Sequence, residues 1–112
     1  MLSDATLAAL LAFRSEREWE QFHTPKNLAI GIAVEAAELL ELYQWTLDSS
    51  DQAPAATTVQ EEIADVCILL SYLAHDLGVD LEDAVRRKLA VNAARYPVEH
   101  SRGNARKHDA VD

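Results

Sequence analysis

Glu35 and Glu38 stand three residues apart, and Glu62 and Asp65 repeat that spacing further along the chain. On a helix the spacing stacks two carboxylates one turn apart on the same face. At about 100° per residue, Glu35 and Glu38 fall among Leu28, Gly31, Leu42 and Trp45, while Glu62 and Asp65 fall among Val66, Leu69, Tyr72 and Leu73. Ionised carboxylates in apolar stripes are costly unless paired, and four together repel one another and tend to bind protons. A hard divalent cation answers both problems. It takes oxygen ligands, and Mg2+ in particular keeps waters and shares itself between a few carboxylates and substrate phosphates. A solvated acidic face gives the same spacing, because glutamates three apart are common on helix surfaces. Spacing alone leaves both readings open.

The elements that must position these acids are marked by punctuation. Ser3 or Asp4 can cap a first helix running to about Phe22, with Leu7, Leu10, Leu11 and Arg14 at helical spacing. Thr24 followed by Pro25 opens a second helix that should continue to about Trp45, before a loop from Thr46 to Thr57 containing Pro54. Thr58 and Glu61 have capping-box spacing for a third helix, which ends before Gly78. Asp80 can cap a fourth from about Leu81 to Arg95, stopped by Pro97. Two antiparallel helices joined by the loop would close the four acids around one or two ions. Glu61 points elsewhere and reads as a cap residue. The second helix is apolar nearly all round, with Ile30, Ile32, Val34, Leu39 and Tyr43, and so must be surrounded.

Composition bounds the remainder. A chain of 112 residues, 49% hydrophobic and 26% charged, has room for one modest globular core. Cys67 is the only cysteine, so one chain can build neither a disulfide framework nor a cysteine-rich zinc site. No basic residue precedes the first apolar stretch and no apolar run is long enough to span a bilayer, so a cytoplasmic protein without a membrane partner is expected. Residues 1–85 carry 16 acidic and three basic side chains, whereas residues 86–112 carry three and seven. Such an acidic body repels nucleic acid polymers, though not a phosphate compound bridged by a cation.

On the fourth helix Lys88, Asn92 and Arg95 share a face. Cations near a helix C-terminus are ordinary, but an amide at an apolar position needs partners and could read a base edge or a ribose. The tail from Val98 to Asp112, with Arg102, Arg106, Lys107 and His108, has too few apolar residues for a core element and is expected to be mobile unless it covers something. His75-Asp76 suggests a His-Asp metal phosphohydrolase, but His75 points away from Glu62 and Asp65 and no further helical His and Asp complete the set. A di-iron carboxylate bundle needs Glu-x-x-His on two helices, and none occurs.

Four ordered blocks then stand out: Trp19-Glu20-Gln21-Phe22-His23 with Pro25, Asn27 and Leu28; Glu35 and Glu38 with Gln44-Trp45; Glu61-Glu62 with Asp65-Val66; and Lys88, Asn92, Arg95-Tyr96-Pro97. In these the chain resembles the MazG-like all-α nucleoside triphosphate pyrophosphohydrolases, in their dCTP pyrophosphatase branch, over about residues 10–108. The resemblance implies an all-α, four-helix catalytic domain over residues 1–97, completed by assembly into homodimers or homotetramers, with residues 98–112 as a basic tail. It implies Mg2+-dependent conversion of a nucleoside triphosphate to its monophosphate and pyrophosphate, in the removal of unwanted nucleotides from the precursor pool. Glu35, Glu38, Glu62 and Asp65 match the family's metal ligands and catalytic acids, with Glu38 the first choice for the general base.

The same resemblance makes His23, Trp45, Lys88, Asn92 and Arg95 substrate-binding residues: Trp45 to stack on a pyrimidine, and Lys88 and Arg95, with Arg102, Arg106 or Lys107, to hold phosphate oxygens, including those of a neighbouring subunit. Without it, Trp45 reads equally as a core or interface tryptophan and His23 as a loop histidine. Where dCTP-preferring relatives often carry a tyrosine one turn past the aspartate, this chain has Leu69, which puts base or sugar selectivity in question. The nonenzymatic alternative is a helical oligomerisation module that binds nucleotides without hydrolysing them.

Overall fold

The computed structural model describes residues 1–45 and 53–107, and every regular element among them is helical. Most of the loop expected after Trp45, and the tail from His108 onward, lie outside the described residues. Contacts divide the chain into two units, Met1–Val79 and Asp80–Asp112.

In the first unit, helix α1 spans Asp4–Glu16, a 3-10 turn spans Trp19–Phe22, α2 spans Pro25–Glu41 and α3 spans Ala56–Leu77. The caps of α1 and α2 are those the sequence marks. The Thr6 amide donates to Ser3 Oγ at 3.2 Å, and the Asn27 amide donates to Thr24 Oγ1 at 3.1 Å with Pro25 at the first helical position. Gly78, at φ 68°, ends α3: its amide donates to the His75 carbonyl and the Val79 amide reaches back to Ala74, a Schellman closure.

Three boundaries differ from expectation. The first helix does not reach Phe22; it stops at Glu16, and Glu18 turns the chain with φ 53°. A non-glycine residue in that region costs about 1 kcal/mol or more, and local contacts offset it. Arg17 donates to the Phe13 carbonyl while lying 3.7 Å from the Phe13 ring centre, and Gln21 Nε2 donates to the Glu18 carbonyl. Nor does α2 run to Trp45. Beyond Glu41 the Leu42 and Tyr43 amides bond three residues back, to Leu39 and Leu40, and the helix tightens and ends. Finally, α3 starts at Ala56, capped only by the backbone of Ala55. Thr58 and Glu61 therefore sit inside the helix rather than forming a capping box, because the alanines after Pro54 are good helix formers. Glu61 is exposed and is not a cap.

The core of this unit is thin. Leu28, Tyr72 and Ala74 are buried, whereas Ile30, Val34 and Leu40 on α2 and Ile63 on α3 remain at least half exposed. The described residues of this unit leave much of α2 uncovered. Where α2 meets α3 the approach is close: a Cβ on Gly31 would lie 3.1 Å from Leu69 Cδ1. One turn beyond Gly31 is Glu35 and one turn before Leu69 is Asp65, so α2 and α3 run antiparallel with the acids facing one another.

In the second unit, α4 spans Leu81–Arg95, with Asp80 Oδ1 accepting from the Asp83 amide at 3.1 Å, and the four-residue α5 spans Val98–Ser101 after Pro97. The segment after Pro97, expected to lack a core element, carries a helical turn, followed by Gly103 at φ 81° and an Asn104 side chain that accepts from the Arg106 amide.

Candidate active site

The α2–α3 contact brings the two acid pairs together. One carboxylate oxygen each from Glu35, Glu62 and Asp65 lies within 4.8 Å of the other two. Glu35 and Glu62 are half-buried, and in each the Oε2 atom is buried without a hydrogen-bond partner. Among the described residues none of the four acids has an ion-pair partner within 4.0 Å. The consequence is electrostatic. A shared hydrogen bond with Glu38, then desolvation and the charges of Glu38 and Asp65, push the Glu35 carboxyl from 4.5 up to about 7. Desolvation raises Glu62, with the charges of Glu38 and Asp65 adding to it and a hydrogen bond with Glu35 opposing. Glu38 is exposed and lies outside the close trio, yet it acts on both neighbours. Orphaned, inward-facing carboxylate oxygens with mutual repulsion and no counter-cation are a donor set suited to a hard divalent ion.

His23 lies between the 3-10 turn and the α2 cap, half-buried, with its Nδ1 buried and unbonded. Burial first, and the nearby Arg14 charge second, lower its pKa, so the ring is neutral at pH 7. It packs 5.3 Å from the Tyr72 ring and 6.5 Å from that of Trp19. Tyr72 lies two turns along α3 from Asp65, on the same face, which sets His23 about 10 Å along the axis from the acids. Trp45 follows α2 and is 86% exposed. His23 and Trp45 flank opposite ends of the 17-residue α2, about 25 Å of helix apart, so one protomer does not bring them to a single base. Lys88, Asn92 and Arg95 belong to the second unit; Lys88 and Arg95 are exposed and Asn92 is half-buried.

Sequence reasoning passed over the polar frame behind His23. Arg14 is buried on α1 and forks onto Asp76 through two 2.8 Å hydrogen bonds, with its guanidinium 4.6 Å from the Tyr72 ring centre. The Tyr72 hydroxyl donates to the Leu10 carbonyl at 2.8 Å. Bonding to Arg14 holds the Asp76 carboxyl below the usual range, and bonding to Asp76 raises Arg14. This leaves Asp76 engaged on α1 rather than beside His75 as half of a metal pair. The signal was present: Arg14 interrupts an apolar stripe as the acids do.

Known proteins share this arrangement of helices. Residues 30–110 match the MazG-like family. The dCTP pyrophosphatase 1 of Rattus norvegicus is 45% identical over 101 residues, covering 86% of this chain and 59% of the rat protein. Its Homo sapiens counterpart is 43% identical over 103 residues, with the same coverage. The chain therefore spans about three-fifths of the length of these curated relatives. A dATP/dGTP diphosphohydrolase of Cyanophage S-2L is 59% identical over 34 residues, 30% of this chain and 32% of that one. The crystal structure of a pyrophosphatase from Archaeoglobus fulgidus superposes with a TM-score of 0.79 at 42% identity, over 84% of this chain and 91% of the other.

Proposed function

The chain belongs to the MazG-like family, and on that premise we propose that it hydrolyses a nucleoside triphosphate of the dCTP type to the monophosphate and pyrophosphate. The observation that carries this reading is the trio Glu35, Glu62 and Asp65, gathered within 4.8 Å with two buried oxygens left unbonded. These residues would hold Mg2+. When bound, the ion supplies neutralisation of the triphosphate and of the charge that develops on the departing pyrophosphate. Glu38, which stands outside the trio, is assigned in this reading the role of accepting the proton of the attacking water. The water oxygen bonds to the α-phosphorus as the bond from that phosphorus to the bridging oxygen breaks, and pyrophosphate leaves with the electron pair.

His23 keeps a neutral ring with an unbonded Nδ1 and so can meet a donor on the nucleotide. Trp45 offers an open ring face, and stacking on an aromatic is worth about 1–3 kcal/mol per base in nucleic-acid complexes. Lys88 and Arg95 hold phosphate oxygens and Asn92 reads a base edge or the ribose. The separation of His23 from Trp45, together with the uncovered Ile30, Val34, Leu40 and Ile63, supports a homodimer or homotetramer in which two copies share a base site. Leu69 packs at the Gly31 contact, so in this chain the position serves the helix interface, and base selectivity falls to His23, Trp45 and Asn92. No described helix is long and apolar enough to cross a membrane. The proposed setting is the cytoplasmic precursor pool, where the enzyme removes unwanted nucleotides.

The test is pyrophosphate release from a panel of ribo- and deoxynucleoside triphosphates, with and without Mg2+. Release that requires Mg2+ and favours dCTP supports the reading. Nucleotide binding without release from any member of the panel overturns it in favour of a noncatalytic binding module.

A further inference from the structure

Taking two charges out of water is costly, and an apolar contact of similar volume often joins two helices as well or better. The fork of Arg14 on Asp76 therefore calls for a role besides fastening α1 to α3. Its two ends are unequally solvated, the Arg14 side chain being 6% exposed and that of Asp76 27%. Water screens the carboxylate more than the guanidinium, so the field that the pair projects into the protein is positive. Arg14 Nε is also buried without a hydrogen bond, 4.0 Å from Glu20 Oε1.

His23 stands in that field. The Arg14 guanidinium lies 4.6 Å from the centre of the Tyr72 ring and the imidazole 5.3 Å from the same centre. Both pack against one ring, close enough for a poorly screened charge to be felt. The backbone holds the imidazole there: the His23 amide donates to the Glu20 carbonyl at 3.1 Å, and Asn27 Nδ2 donates to the Phe22 carbonyl at 3.2 Å. Among the described residues the charges that bear on the ring are Arg14 on α1, Glu20 in the 3-10 turn and Asp76 on α3. Burial and Arg14 lower the imidazole, while Asp76 and Glu20 oppose them. Tyr72, against the ring, is raised by burial and stays an uncharged phenol. Arg17 is turned over the Phe13 and Trp19 rings, and Lys26 on α2 is exposed.

We propose that Arg14 and Asp76 are positioning residues of opposite sign for His23: the buried guanidinium keeps the imidazole uncharged, and the carboxylate fixes that guanidinium and limits its field. An uncharged ring keeps one nitrogen as an acceptor, whereas an imidazolium offers two donors and a charge that draws phosphate. The pair thereby directs His23 to an N–H or O–H of the nucleoside rather than to the triphosphate. This last step rests on the proposed reaction; the electrostatic coupling of the three side chains does not.

The experiment is a proton NMR titration of the His23 ring in the metal-free full chain, with His23→Gln identifying its signal. Asp76→Asn leaves the guanidinium unopposed and should move the His23 midpoint to lower pH. Arg14→Met leaves the carboxylate unopposed and should move it to higher pH, and Arg14→Lys, which keeps the charge, should restore it toward wild type. The Arg14→Met/Asp76→Asn double variant should fall between the two single ones. Both single substitutions break the same fork, so a merely structural role would move the ring in one direction in both. Shifts of the same sign, or no shift, overturn the proposal; if Arg14→Met does not fold, a double variant with a midpoint no higher than that of Asp76→Asn does so. The second arm is KM for dCTP with saturating Mg2+ between pH 8 and pH 6. Relative to wild type, Arg14→Met should raise KM about two- to tenfold at the acid end, the loss of one hydrogen bond, and act on KM rather than kcat. Opposite NMR shifts with wild-type KM profiles overturn the acceptor role at the nucleoside. The NMR arm needs no substrate, so failure of the coupling stays distinct from failure of the proposed reaction.

Discussion

Gly31 sets the distance across which the acids face one another, and replacing it should change cation affinity more than stability. A methyl group there would lie 3.1 Å from Leu69 Cδ1, whereas carbon atoms rest at about 3.5–4.0 Å. The deficit is a few tenths of an ångström or more, and Leu69 Cδ1 is the end of a half-buried side chain that can give part of it. For Gly31→Ala, the gain of about 1 kcal/mol in helix propensity opposes an overpacking cost of about 1–3 kcal/mol. Net stability should therefore fall by no more than about 2 kcal/mol. The helices must still separate slightly, and Glu35 and Asp65, each one turn away, separate with them. Gly31→Val removes the compensation, because its extra methyl groups meet the same wall and β-branching lowers helix propensity. The assay is the melting temperature of each variant with and without saturating Mg2+. A stabilising shift in wild type, a smaller one in Gly31→Ala, its loss in Gly31→Val and partial recovery in Gly31→Ala/Leu69→Ala are expected. A Gly31→Val protein with wild-type stability and a wild-type Mg2+ shift would refute the argument.

Other perturbations have equally definite outcomes. Glu35→Gln or Asp65→Asn should abolish pyrophosphate release yet leave the metal-free protein as stable as wild type or more so, since each relieves carboxylate repulsion; retained turnover contradicts the ligand assignment. Because the folded Glu35 carboxyl titrates at about 7 rather than 4.5, its stabilising contribution is complete below 4.5 and is lost as pH rises through 7. Metal-free protein should thus melt at lower temperature at pH 8 than at pH 5, with Mg2+ narrowing the difference; a flat profile contradicts this. Asp76 has the opposite sign: its pKa is depressed, so its contribution is present above the ordinary aspartate range and lost on acidification. Asp76→Asn should cost about 2–4 kcal/mol by chemical denaturation at pH 7, less than a fully buried pair because Asp76 is partly exposed; a change under 1 kcal/mol, on the order of a surface pair, denies that the fork holds α1 to α3. Trp45→Ala, at an 86% exposed position, should leave the melting temperature unchanged and raise KM for the nucleotide; an unchanged KM removes Trp45 from the base site.

Much of this was legible where local chemistry decides the outcome. Ser3, Thr24, Asp80 and Gly78 mark helix ends because each satisfies backbone groups within a few residues of itself. The acid cluster was legible as a physical anomaly, since carboxylates at apolar positions require an explanation from outside the helix. What stayed hidden depends on distant partners or on strain. Glu18 adopts a left-handed conformation that its residue type does not announce, and it is held there by Arg17 and Gln21. Arg14 finds Asp76 across 62 residues, a pairing no local pattern encodes. The family resemblance offers both His23 and Trp45 for the substrate, and only the length of α2 shows that a single protomer sets them apart.

The tie between α1 and α3 bears on where this protein can be cut. The stretch matching the family begins at Ile30, inside α2, yet Asp76 and the Tyr72 hydroxyl within that stretch find their partners at Arg14 and Leu10. A fragment trimmed to that stretch would sever α2 mid-turn and strand a carboxylate and a phenol that the longer chain satisfies, while removing His23 altogether. The stretch matching the family and mechanical self-sufficiency therefore have different borders here, and the N-terminal helix belongs inside the second.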